Sequence, residues 1–151
     1  MAFLGTCHCK NIRVRLETQR TPEAFPVRRC TCTFCARHQP RYISDPQGSI
    51  EIHVDDQTLL GRYRFGLGLA DFLFCLRCGV FMAAFEPGPP GRAVININAL
   101  EDAAKFTAEP VPMDFDREDE TARRERRART WTPTRLVFTK EEQPGTPTRR
   151  A

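Results

Sequence analysis

The chain has 151 residues, 40% of them hydrophobic, and a net charge of +4. That is the length and composition of one globular domain. No stretch reaches the ~20 apolar residues of a membrane-spanning helix, and the charge is too mild to mark a nucleic-acid binder. Its seven cysteines are an odd number, which argues against a closed disulfide framework.

Twelve prolines and nine glycines predict many turns and little long helix. The start, Met1 to Gly5, has no basic segment leading into a long apolar one, so no signal peptide is expected. The expected location is the reducing cytoplasm, where thiols stay free. Ile12, Val14 and Leu16 alternate with Arg13 and Arg15, the pattern of a half-buried strand. Residues 49–54 alternate in the same way, and strands are also predicted over 60–65, 71–74, 80–85 and 93–98. Turn signals separate them at 45–48, 66–68 and 87–91. An all-β fold follows.

Composition changes after about residue 113. Residues 116–129 are nearly all charged, acidic first and basic later, which suits a short solvated helix aligned with its dipole. Trp131 and the run Leu136 to Phe138 are expected to pack back onto the body. The polar stretch 139–151 reads as a disordered tail, so one domain spans 1–138.

The chemistry lies in the cysteines. They occur as Cys7-x-Cys9, Cys30-x-Cys32-x-x-Cys35 and Cys75-x-x-Cys78-Gly79. Cysteines one or two residues apart can chelate one ion from a single turn, and zinc favours four tetrahedral ligands including thiolates. Cys7, Cys9, Cys75 and Cys78 together make one closed structural site. Cys30, Cys32 and Cys35 then have no fourth cysteine, and three protein ligands with one open position is the catalytic arrangement. Two zinc ions per chain are expected. The plainer alternatives are buried unliganded thiols for the four, and a redox-active Cys32–Cys35 pair or an empty site for the three.

Other candidates carry less. His38, three residues after Cys35, can complete the second site, serve as an acid or base, or bind an anion, against the plainer reading of a surface histidine. His8, between two ligands, should point away from the metal. His53 reads as structural, and Asp45, before Pro46, as a turn residue. The arginines at 123–129 can contact nucleic acid, but the acids nearby favour a solvated helix and argue against nucleic acid as a partner.

These spacings resemble those of the glutathione-dependent formaldehyde-activating enzymes, or S-(hydroxymethyl)glutathione synthases, to which centromere protein V is related. The resemblance covers residues 3 to about 102 and rests on Gly5-Thr-Cys-His-Cys9, Cys30-Thr-Cys-Thr-Phe-Cys35, Cys75-Leu-Arg-Cys-Gly79 and Asn98-Ala-Leu-Glu-Asp102. It leaves 103–138 as a C-terminal extension. It implies a β-tent, two antiparallel sheets leaning together with zinc at the seam. It also implies a structural zinc on Cys7, Cys9, Cys75 and Cys78, and a catalytic one on Cys30, Cys32 and Cys35. The implied reaction is reversible addition of a thiol to an aldehyde, a carbon–sulfur lyase chemistry with a thiol–aldehyde adduct as ligand. Members commonly place a glycine where this chain has Lys10, and a basic pair and a glycine after the triplet, where it has Ala36-Arg-His-Gln-Pro40. Arg37 fits that pattern as a substrate-binding residue, with Arg41 and Arg77 as further sources of positive charge. The alternative function is a non-catalytic, zinc-stabilised binding module.

Overall fold

The computed structural model of the chain describes residues 1–139. In chain order its elements are β1 (Ala2–Thr6), β2 (Ile12–Glu17), β3 (Arg28–Cys30), α1 (Thr33–His38), β4 (Tyr42–Ile43), β5 (Ser49–Val54), β6 (Leu60–Tyr63), β7 (Asp71–Cys75), β8 (Phe81–Glu86), β9 (Gly91–Asn96), β10 (Val111–Met113), α2 (Glu120–Thr130) and β11 (Thr132–Phe138). The fold is all-β, with one short helix near its C-terminal end. No described helix is long and apolar enough to cross a membrane.

The sheet branches at β9. One edge of β9 pairs with β8, which continues through β7 to β6. The other edge is shared. Gly91 to Ala93 pair with β11, leading through β5 and β2 to β1. Ile95 and Asn96 pair with β4, leading to β3 and β10. Two pairings, β5 with β11 and β3 with β10, are parallel, where the resemblance implied antiparallel sheets only. The reason is that β11 and β10 come from the C-terminal extension. Both add to strands laid down much earlier in the chain, and the direction is set by the connection that brings them there.

The two wings close on one core. Ile12, Val14 and Leu16 of β2 and Ile50, Ile52 and Val54 of β5 meet Leu73, Ala83, Phe85, Ala93 and Ile95 of the other wing. The β2 side chains alternate buried and exposed as predicted. Strands β8 and β9 instead bury both faces. Their opposite side, through Ala84 and Val94, joins a second cluster with Cys35, Tyr42, Phe81 and Trp131. A bulge allows this. Leu73 pairs with Ala83 but Phe74 with Phe81, which leaves Met82 as an extra residue on β8. Met82 and Ala83 therefore both enter the main core while Phe81 turns to the second cluster.

Several boundaries differ from expectation. The strand predicted over 60–65 ends at Tyr63, and that over 93–98 begins at Gly91 and gives way to a 3-10 turn at Ile97–Ala99. Thr139, assigned to the tail, is held to β5: its N–H donates to the Val54 carbonyl and its hydroxyl to Asp55. The rest of the tail lies outside the described residues. Asp45 is the turn residue expected, buried, with Oδ2 accepting from Thr18 and Oδ1 from the Gln47 N–H.

Gly5 shows why one signature position excludes a side chain. It bridges to Leu100, and a Cβ on it would lie 2.5 Å from the Ala99 carbonyl oxygen. Gly5→Ala is expected to destabilise the protein by about 1–3 kcal/mol, the usual cost of overpacking, read as a fall in the denaturant midpoint with unchanged slope.

Candidate metal centres and an adjoining cavity

The structure brings the cysteines into the two groups expected. The Sγ atoms of Cys7, Cys9, Cys75 and Cys78 lie within 4.8 Å of one another, as do those of Cys30, Cys32 and Cys35. None of the seven is in a disulfide. Either group can hold a metal ion.

The four-cysteine group joins the turn after β1 to the β7–β8 hairpin, and so ties one wing to the other. Both turns close in a related way, the second one residue longer than the first. Lys10 N–H donates to the Cys7 carbonyl and Gly79 N–H to that of Cys75. Both residues sit in the left-handed region, with φ of 67° and 78°. A glycine takes that conformation freely, which suits Gly79, while Lys10 adopts it with a side chain. The sulfurs are spaced for a shared ion. Cys7 and Cys9 are 3.7 Å apart, and Cys9 and Cys75 are 3.5 Å apart. Tetrahedral ligands at a zinc–sulfur distance of about 2.3 Å would lie about 3.8 Å apart. Backbone N–H groups turn toward the sulfurs, among them Ile12 to Cys7 at 3.3 Å. Burial pushes the Cys7 thiol up to about 12. Burial also opposes ionisation of Cys78, but the Val80 and Cys9 N–H groups and the neighbouring thiols outweigh it and bring Cys78 down to about 6. Thiols sharing protons this way are a set that a cation can deprotonate together. His8 is exposed, as expected of a residue between two ligands.

The triplet is built by the start of α1. Cys30 ends β3, and Cys32 caps the helix, its sulfur accepting the Cys35 N–H at 3.4 Å. Gln39, left-handed at φ 53°, ends the helix before Pro40. Cys35 is buried, and its sulfur lies 3.3 Å from the Tyr42 hydroxyl. The hydrogen bond from Cys35 is the main cause that lowers Cys30 to about 6, and the same bond raises Cys35. Burial raises Tyr42 well above the ordinary phenol value, so it stays protonated and can donate.

All three sulfur-bearing residues and Tyr42 face a cavity of about 390 Å³. One wall is apolar, with Phe72 and Val94 from the sheet, and Phe65 and Leu67 from the β6–β7 loop. The other comes from the C-terminal extension, including Arg123, Arg126, Arg127 and Trp131. The helix α2, capped by Asp119, is therefore more than a solvated helix. Arg123 and Arg126 bind Glu118, Arg124 and Arg127 bind Glu86, and Arg127 is buried over Trp131 with its guanidinium carbon 4.4 Å from the ring centroid. The signal was in the spacing: 123, 126 and 127 share one helix face.

The other predicted residues fall elsewhere. His38 is exposed, with its ring against Phe34 and Phe81 at 4.6 and 5.5 Å, and is not in the metal-capable group. Arg37 is exposed, folds back onto the Thr33 carbonyl and does not line the cavity. Arg41 binds Asn98, and Arg77 sits between Cys75 and Cys78. His53 lies in β5, 3.6 Å from Glu51. Arg28 and Tyr42 line the cavity and were not singled out by the spacing of the cysteines.

No family model and no curated protein matches the chain. A solved crystal structure of a Rhodobacter sphaeroides protein, a structural-genomics target, is similar. It is 27% identical with a TM-score of 0.57, and the match covers 72% of this chain and 97% of that one.

Two outcomes follow. Cys78→Ser should release one metal equivalent and lower the melting temperature markedly, since structural zinc sites bind with roughly 10–16 kcal/mol against a net domain stability of about 5–15 kcal/mol. Metal analysis paired with thermal melts checks it. The arginine bonds, led by that of Arg126, hold Glu118 below the usual carboxylate range. Its contribution is therefore present above the unfolded value and lost as pH falls through the folded one. Glu118→Gln should destabilise at pH 7 and cost progressively less below about pH 4, measured by denaturant unfolding across pH.

Proposed function

We propose that this protein is a zinc-dependent enzyme of carbon–sulfur lyase type, related to the formaldehyde-activating family, that adds a thiol to an aldehyde or reverses that addition. The observation that carries this reading is the asymmetry between the two cysteine groups. One has four sulfurs, a complete tetrahedral set, and staples two wings. The other has three and opens onto a cavity of small-molecule size. Thiolate-rich sites suit zinc, and a reducing compartment such as the cytoplasm keeps seven thiols available for it.

Cys30, Cys32 and Cys35 would hold the ion, which when bound supplies Lewis acidity at one remaining position. The chain's own residues do the rest. The cavity wall around Phe72 and Val94 gives the reacting groups one apolar side. Tyr42, neutral and at hydrogen-bond distance from Cys35, donates a hydrogen bond to that sulfur and holds it in place. In the addition, one carbon–sulfur bond forms and the carbonyl π bond becomes a carbon–oxygen single bond. The thiol proton passes to that oxygen, so no oxidant or reductant is consumed.

The zinc-loaded chain is expected to hold two ions and to accelerate hemithioacetal exchange between formaldehyde and glutathione, measured by NMR exchange spectroscopy. Cys32→Ser should lose one ion and the acceleration while keeping the four-cysteine ion. One ion per chain in the unaltered protein, or full activity in Cys32→Ser, would overturn the proposal.

A further inference from the structure

The cavity beside the triplet carries more positive charge than its own acids use. Arg28 enters it from β3, and Arg123, Arg126 and Arg127 from α2, against Asp116 and Glu118. Glu118 is taken by Arg123 and Arg126, and Arg127 by Glu86. Arg28 has no acidic partner among the described residues. Its guanidinium donates to the Ser44 hydroxyl, which donates in turn to the Thr130 carbonyl. The Nε of Arg127 is buried with no hydrogen-bond partner. A partly buried guanidinium without a counter-ion, in a cavity whose lining also includes a residue with an orphaned buried donor, is costly unless an acceptor arrives. A carboxylate matches a guanidinium fork with two parallel bonds. The rest of the wall is apolar, so the ligand's body should be too.

We propose that Arg28 and the adjoining face of α2 form a carboxylate subsite, and that the ligand of the cysteine triplet is a small organic monoanion with an apolar body. This rests on the triplet and its cavity being the functional site proposed above. The C-terminal extension then closes the subsite, since α2 and Trp131 form the cavity wall beside Arg28. The competing role for Arg28 is to balance charge on the three thiolates.

The chain contains a single tryptophan, Trp131, which lines the cavity under Arg127, so its fluorescence reports entry of a ligand. The test titrates the metal-loaded full chain with cyclohexanecarboxylate and with its neutral carboxamide, by Trp131 fluorescence and by calorimetry. The carboxylate should saturate and bind at least about tenfold more tightly than the amide, as expected for a charge-assisted bond. Arg28→Met should erase that preference while leaving metal content and amide binding unchanged, and Arg28→Lys should restore part of it. No difference between acid and amide on the unaltered chain, whether both bind or neither does, overturns the subsite. So does Arg28→Met if it sheds the triplet's metal, since Arg28 would then serve the thiolates. If the Arg28 variants fail to fold, the same contrast on Cys32→Ser, which keeps the four-cysteine ion, decides: a preference that persists there supports the subsite, and one that disappears belongs to the open metal position and overturns it. Neither probe carries a thiol or an aldehyde. A protein that prefers the acid but fails to catalyse hemithioacetal exchange keeps the subsite and loses the proposed reaction. One that catalyses exchange yet treats acid and amide alike loses the subsite only.

Discussion

Strand β9 is hydrogen-bonded to β8 along one edge and to two different strands, β11 and β4, along the other. That shared edge is the constraint on which both sites depend. A strand carries side chains on two faces, and here both are buried. Ala93 and Ile95 look into the core between the wings, and Val94 looks into the cluster around Cys35, Tyr42 and Trp131. Had β9 faced solvent on one side, the chain could have built one cysteine site under its core but not a second behind it.

The two sites differ because of what brings their sulfurs together. The four-cysteine group is made by two turns on opposite wings, each ending in a left-handed residue. Its position is fixed by long-range packing, while its local geometry is set within each turn. The triplet is local in the chain, spanning Cys30 to Cys35, and its geometry is that of a capped helix start. What makes it open is the space left between the sheet and α2. The arginines of α2 hold that helix by pairing with Glu118 and Glu86 and by stacking on Phe115 and Trp131. Removing one partner of a pair this buried costs more than the pair itself contributes, because it leaves a charge without water.

Much of this could be read from the chain. The alternation in β2 and β5 was clear because one face of each is exposed. The apolar runs of β7 and β8 were clear because they pack on both sides. The smallest strands were not: β3, β4 and β10 have two or three residues each, too few for a period to show, and exist only because neighbours pair with them. Helix α1 is six residues long and fails for the same reason. Strand β11 was expected only to pack back. Pro133 argues against an interior strand, yet the parallel pairing with β5 begins one residue later, at Thr134, so the missing N–H is not needed there.

The sequence by itself determined the two cysteine groups, the all-β class and the charged helix, because close ligand spacing, short-range periodicity and runs of charge are local properties. Only the tertiary structure decided where the functional surface of that helix lies. Arg28 precedes the triplet, Tyr42 follows it, and Arg123, Arg126 and Arg127 lie some ninety residues further along the chain. They meet because β11 returns to β9 and carries α2 over the second face of the sheet. Arg37 and His38 follow the triplet closely in sequence yet stay out of the site. A helix turns successive side chains through about 100°, which carries Arg37 to the far side from Cys35, while His38, three residues on and on the Cys35 side, stacks on Phe34 and Phe81 outside the sulfur cluster.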